Sequence, residues 1–335
     1  MALVITMNHN LLLIICAYFE LGTPIESATK VHGGLLNLMW QVNTHQATYA
    51  IKQIASDTDL SNANIESYNL SEKIAADFSK RGIPAVNAIE HQGAYLKIID
   101  GTGFLVYPWI DAKTIGVDEI SEKHALQIAV ILAKMHNINL NVPEILEPKF
   151  DTYTKEDLLE LINKAKNSDC VFANLLKQHQ AALLTANYNY LAAIPLLKRH
   201  AVVSHADLDQ KNVLWKTDGA PILIDWESAR KLNPSYEIIN ASLCWSGITT
   251  VLNKELFIKM ITAYRDANGV IQSSEIEAAF YGVLGNWINW LAYNINRACD
   301  TQDLATRNMS IIQVTKVLPV IIRLQIMIPD LLQII

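Results

Sequence analysis

The chain has 335 residues, a formal net charge of -6 and a hydrophobic fraction of 51%, enough apolar material to bury one large core or the cores of two lobes. Nucleic-acid backbones call for clustered Lys and Arg; no basic run occurs, so a nucleic-acid partner is not expected. Cys16, Cys170, Cys244 and Cys299 lie far apart with no C-x-x-C or Cys/His cluster, which points to neither a zinc site nor a disulfide framework but to buried thiols in a reducing cytoplasm.

Residues 11–19 are apolar, but no Lys or Arg precedes Lys30 and no small-residue cleavage site follows, so the run reads as a first helix and not a signal segment. Gly22-Thr23-Pro24 makes a turn. Strands are expected at 25–31, 38–43 and 49–54, the last two joined by a hairpin over 43–47. Gly33 and Gly34, between the first two strands, would let backbone N–H groups approach an anion such as phosphate closely, although alone such a pair is more often just a hairpin turn. Residues 64–81 place Ile65, Tyr68, Ile74, Ala75 and Phe78 at helical spacing and stop at Gly82, with Pro84 just beyond. Two further strands, 94–99 and 103–107, flank the turn at Asp100-Gly101-Thr102.

Beyond this the pattern turns helical. Residues 124–136 have the apolar face of a buried helix, 144–166 are charged and peripheral, and the last third holds helices at 256–264, 274–298 and 309–318. The middle one of these carries Asn286, Asn289, Trp290, Tyr293 and Arg297 along one side, opposite Phe280, Leu284, Trp287 and Leu291. Such a stripe is more often core than pocket. The apolar stretch 317–335 is broken by Pro319, Arg323, Pro329 and Asp330, which fits a packed terminal helix better than a membrane span.

Between these two regions lies VVSHADLDQKNVLWKTDGAPILIDWESA, residues 202–229. Short apolar runs there hold Asp207, Asn212 and Asp225 at the ends of strands. Magnesium takes hard oxygen ligands, a few from protein and the rest from phosphate and water; Asn212 and Asp225 suit that role. Asp207 is then free to accept a proton from a substrate hydroxyl. A calcium loop fits worse, because Lys211 and Asn212 stand where such a loop needs a ligand and a glycine.

His205-Ala206-Asp207-Leu208 followed by Asn212 matches H-x-D-L-x-x-x-N, and Asp225-Trp226-Glu227 stands where protein kinases carry Asp-Phe-Gly. Over about residues 22–237 the chain resembles the aminoglycoside phosphotransferase and choline kinase families, small-molecule relatives of the protein kinases. It departs from many members at Ala206, where Gly is common, and at Asp209, where His or Ser is common. The resemblance implies an α+β, bilobal protein kinase-like fold: a small lobe with an antiparallel sheet, residues 1–109, and a larger, mainly helical lobe, residues 110–335.

The same resemblance implies the site. Tyr49-Ala50-Ile51-Lys52 is similar to the kinase third strand, which places Lys52 on the nucleotide phosphates, and Gly33-Gly34-Leu35-Leu36-Asn37 resembles the family's glycine turn, so Gly33, Gly34 and Asn37 are expected at the nucleotide. Glu72, chosen over Glu66 by its distance from the end of its helix, is expected to steady Lys52. Pro108-Trp109-Ile110-Asp111 resembles the hinge, with the Pro108 carbonyl and the Ile110 N–H meeting the purine and Tyr107 behind it; His136 is expected to pack or cap. The implied cofactors are ATP or GTP and Mg2+. No long activation segment with an A-P-E closure follows residue 229, which favours a small acceptor with a hydroxyl, such as an aminoglycoside-type antibiotic or a choline-like amino alcohol. From residue 227 onward acids and bases number nine each, so no anionic pocket shows in composition; Trp226, Trp245, Trp287 and Trp290 would suit an aromatic cage for a quaternary amine, although tryptophans of this kind are individually more often core. The alternative is an inactive nucleotide-binding pseudokinase, disfavoured because Lys52, Asp207 and Asp225 are all retained. No membrane partner is expected, and the cytoplasm is the expected compartment.

Overall fold

The computed structural model describes residues 7–31, 37–55, 58–145 and 147–335. The chain divides into two compact units, residues 1–116 with 210–229, and residues 117–209 with 230–335.

In the first unit, α1 (His9–Tyr18) is capped by the Asn8 side chain, which accepts from the Asn10 N–H. Three strands follow, β1 (Thr29–Val31), β2 (Leu38–Asn43) and β3 (Thr48–Gln53), then α2 (Asn62–Lys80), β4 (Lys97–Ile99) and β5 (Thr102–Pro108). The strands form one antiparallel sheet in the order β1-β2-β3-β5-β4. Side chains alternate between its faces, as strand geometry requires. Trp40, Val42, Ile51, Phe104 and Val106 pack with Leu12, Ile15 and Phe19 on the side of α1. Leu105 packs with Ile54, Ala88, Tyr95 and Leu96 on the other, against Ile65 and Tyr68 of α2. The register pairs Ile51 with Val106 and Lys52 with Leu105, so Lys52 belongs to the α2 side. The expected strand 94–99 is shorter in the structure because the N–H groups of Tyr95 and Leu96 both donate to Asn69 Oδ1 of α2.

The second unit opens with α3 (Glu122–Ile138) and α4 (Lys155–Asn167), each begun by a reciprocal capping box, Ser121 with His124 and Thr154 with Asp157. Then come α5 (Ala173–Gln178), α6 (Gln180–Leu197) and β6 (Val202–Ser204). The chain next returns to the first unit as the hairpin of β7 (Val213–Trp215) and β8 (Pro221–Leu223). Backbone bonds explain that return. Trp215 exchanges N–H···O bonds with Lys113, while Leu223 donates to Pro84 and accepts from Val86. Residues 210–229 group with residues 1–116 through these pairings.

Back in the second unit, β9 (Arg230–Leu232) pairs antiparallel with β6, and Asn233 caps α7 (Pro234–Trp245). The remaining helices are α8 (Lys254–Asp266), α9 (Ile276–Asp300) and α10 (Leu304–Leu332). Helix α9 is the hub, in contact with α4, α6, α7 and α10. Gly285 permits one of these approaches, because a Cβ there would lie 2.3 Å from the Tyr190 ring. Helix α10 continues through Pro319 and Pro329. It is long and apolar enough to cross a membrane by length and composition, yet Val317, Leu318, Ile321 and Leu324 are buried and the helix packs along α9.

Candidate active site

Strand β3 lies in the middle of its sheet, and its alternation turns Ile51 into the α1-side core and Lys52 the other way. Lys52 is buried, and its Nζ lies 2.7 Å from Asp225 Oδ1 and 2.8 Å from Glu227 Oε2. Burial alone would lower the lysine pKa, but the charges and hydrogen bonds of the two carboxylates outweigh it and the net direction is up.

The carboxylates are held in place by their own segment. Trp226, between them, is fully buried, stacks on Phe78 of α2 with ring centroids 5.5 Å apart, and donates its Nε1–H to Leu223 O; an aromatic pair of this kind is worth about 0.5–1.5 kcal/mol beyond its burial. Asp225 adopts a left-handed backbone, φ 64°, a conformation that Asp tolerates better than most residues. The N–H of Ile224 donates to Asn212 O, which sets buried Asn212 beside the start of the acidic turn. Glu227 was not among the expected site residues. A kinase reading of Asp-Trp-Glu looks for glycine at this third position, so the motif itself gave no signal; the acidic side chain two residues past Asp225 did.

Glu72 is buried while Glu66 is exposed. Its carboxylate does not hydrogen-bond Lys52, which it was expected to steady. It accepts instead from Tyr107 Oη at 2.6 Å and from the Ala88 N–H at 2.6 Å, which locks Tyr107 and the chain entering β4 to α2. Burial pushes the Glu72 carboxyl up, against these two hydrogen bonds and the charge of Lys52. Burial, with the neighbouring Glu72, also raises the Tyr107 phenol well above its usual range.

Asn37 Oδ1 accepts from the Ala55 N–H just past β3. Gly33 and Gly34 lie outside the described residues. At the expected hinge, Pro108 ends β5 opposite Tyr49, Trp109 donates its N–H to Thr48 O, and Ile110 O accepts from Ala112.

In the second unit, Asp207 sits on a loop fixed at each residue around it. His205 is fully buried. Ala206 has φ 66°, the left-handed region that explains why glycine would suit this position. Its N–H donates to Glu237 Oε1 at 2.8 Å. Leu208 O accepts from Trp245 Nε1, and Asp207 O from the Asp209 N–H. Glu237, buried in α7, also lies 2.7 Å from His136 Nε2, while His136 Nδ1 lies 2.8 Å from Tyr264 Oη. His136 therefore packs under the loop as expected, and Glu237 is a support that the sequence reading missed.

Two of the four tryptophans weighed for a cage are core residues. Trp226 is buried in the first unit against Phe78 and Trp245 is buried in the second under Leu208, so neither offers a face. Trp290 stacks on Tyr293, centroids 5.3 Å apart.

The sequence matches the model of the phosphotransferase enzyme family, APH, over residues 27–270. Among solved structures, a spectinomycin phosphotransferase determined with ADP and spectinomycin superposes with a TM-score of 0.69 at 14% identity, covering 95% of this chain and 98% of that one. Choline kinase LicA from Streptococcus pneumoniae gives 0.60 at 16% identity, with 94% and 99% covered. An ethanolamine kinase from Plasmodium vivax gives 0.58 at 18%, with 89% and 83% covered. No curated protein gives a significant sequence match.

Proposed function

Because this chain belongs to the phosphotransferase enzyme family, we propose that it moves the γ-phosphoryl group of ATP or GTP to a hydroxyl of a small molecule. The observation that carries the reading is the buried Lys52 ammonium held against Asp225 and Glu227. That arrangement is complementary to a metal–triphosphate. The ammonium can exchange its carboxylates for phosphate oxygens, and the carboxylates can exchange the ammonium for a cation.

Asn212, Asp225 and Glu227 are hard oxygen donors, the set that Mg2+ prefers, and Asn212 and Asp225 are the residues proposed to hold it. The ion supplies neutralisation of phosphate charge when bound. Lys52 neutralises phosphate oxygens, and Asp207 accepts the proton of the acceptor hydroxyl and orients its oxygen. Phosphoryl transfer passes through a loose transition state, so placing charge and reactants supplies most of the rate. Pro108 and Ile110 meet the purine, Gly33, Gly34 and Asn37 the phosphates, and Glu72 fixes Tyr107 behind the base. No observation favours an inactive nucleotide-binding module.

The acceptor we propose is an aminoglycoside-type antibiotic or a choline-like amino alcohol, supported by a fold shared with proteins named for spectinomycin and choline. The proposed setting is the cytoplasm, where nucleoside triphosphate is available, with no nucleic-acid or membrane partner. The test is coupled nucleotide consumption against aminoglycosides, choline, ethanolamine, homoserine and sugars, repeated with Asp207→Ala. Turnover of a productive acceptor should fall by about 10²–10⁴-fold on losing the base; an Ala variant working at the wild-type rate would remove Asp207 from the mechanism.

A further inference from the structure

Two cysteines that lie 129 positions apart in the chain meet in the second unit, against the expectation of four isolated thiols. Cys170 Sγ and Cys299 Sγ are 3.5 Å apart. Cys170 stands in the turn between α4 and α5, its N–H donating to Ala165 O and its carbonyl accepting from Ala173. Cys299 stands in the last turn of α9. The same two elements are joined a turn away by Lys164, whose Nζ lies 2.8 Å from both Asn296 Oδ1 and Asp300 Oδ2. Arg307, whose Nε donates to Ala298 O, places positive charge close to Cys170. Backbone and ion-pair contacts thus fix both sulfur-bearing segments.

A disulfide bond is about 2.05 Å long, so the two sulfurs have to approach by about 1.5 Å to form one. The two thiols differ in access, Cys170 being buried and Cys299 half-buried, and the neighbouring Val171 is 78% exposed, so the corner opens to solvent.

We propose that Cys170 and Cys299 are a redox-modification site, a dithiol that a low-molecular-weight disulfide converts into an intramolecular disulfide joining the α4–α5 turn to the end of α9. The Cys299 thiolate attacks one sulfur of the small disulfide, breaks its S–S bond, and expels one thiolate that takes up a proton. Cys170 then gives up its proton and attacks Cys299 Sγ, breaking the mixed disulfide and releasing the second small thiol. The two protein thiols are oxidised by two electrons and the small disulfide is reduced to two thiols. The order follows from access and from acidity, since burial, with Cys299 beside it, pushes the Cys170 thiol up to about 11 and leaves it a poor first nucleophile. Held against the mixed disulfide, it no longer has to meet its target by diffusion.

The test uses the folded full chain, treated with glutathione disulfide, capped with an alkylating reagent, and followed by intact mass and non-reducing peptide mapping. The wild type should lose two hydrogen atoms, show a peptide linked through Cys170 and Cys299, and gain an upward shift in thermal midpoint that a reducing thiol removes. Cys170→Ser should stop with glutathione on Cys299, and Cys299→Ser should leave Cys170 free. A wild type that keeps glutathione on Cys299 as fully as Cys170→Ser does, links through Cys16 or Cys244 instead, or leaves both thiols open to alkylation overturns the proposal. The wild-type map decides it without any variant.

Discussion

Glu237→Ala should be among the most damaging single changes in the second unit. The carboxylate accepts from the Ala206 N–H at 2.8 Å and faces His136 Nε2 at 2.7 Å, and it is buried. Truncation removes the acceptor shared by the Ser204 hydroxyl, the Ala206 N–H and His136; a buried polar group left unsatisfied costs about 1–3 kcal/mol, so with more than one lost the expected destabilisation is about 3–5 kcal/mol. Glu237→Gln keeps one acceptor for Ala206, and the other tautomer of His136 can receive its amide N–H. The loss is then that of a charge-assisted bond becoming neutral, about 1–2 kcal/mol. Urea unfolding followed by tryptophan fluorescence measures both, since the Trp245 indole at the end of α7 hydrogen-bonds the loop at Leu208 O. The pH profile adds a sign. Burial would raise the Glu237 pKa, but hydrogen bonds and the neighbouring His136 outweigh it and hold it below its ordinary 4.5. A carboxyl lowered in the folded state contributes stability above its unfolded pKa, and that contribution is lost as pH falls through the folded value. The gap between wild type and Glu237→Gln should therefore narrow below about pH 4.5. An Ala variant within about 0.5 kcal/mol of wild type, the range of neutral surface changes, would refute the account of the loop.

Lys52→Met should lower kcat/KM for the acceptor identified in the nucleotide-consumption assay by on the order of 10²–10³-fold, while leaving the thermal midpoint nearly unchanged, because Asp225 and Glu227 are each about a third exposed. Ala206→Gly relieves a left-handed alanine, φ 66°; set against the extra chain entropy of glycine, the expected gain is up to about 1 kcal/mol in the same urea titration. Gly285→Ala drives a Cβ to 2.3 Å from the Tyr190 ring and should cost about 1–3 kcal/mol by overpacking, read as a lower thermal midpoint.

Local pattern made much of this protein legible. The alternation in residues 38–54 placed β2 and β3 to within a residue or two, and helical spacing with Gly82 and Pro84 marked the end of α2. The spacing of His205, Asp207, Asn212 and Asp225 carried the resemblance to the family whose model the chain matches, because such a motif is written in one short stretch of consecutive residues. Contacts distant in sequence were decided only by tertiary structure. Lys52 and Asp225 were expected to share a site, but that Glu227 and not Glu72 completes the lysine's shell depends on which face of α2 meets Tyr107. Residues 210–229 join the small unit through backbone bonds to Pro84, Val86 and Lys113, and backbone groups carry no residue-type signature. Cys170 and Cys299 look isolated along the chain, yet the packing of α4 on α9 brings their sulfurs to 3.5 Å. Periodicity and motif spacing report what a residue does to its immediate neighbours, whereas pairing across a fold depends on how whole elements pack, and that is set by many small contacts at once.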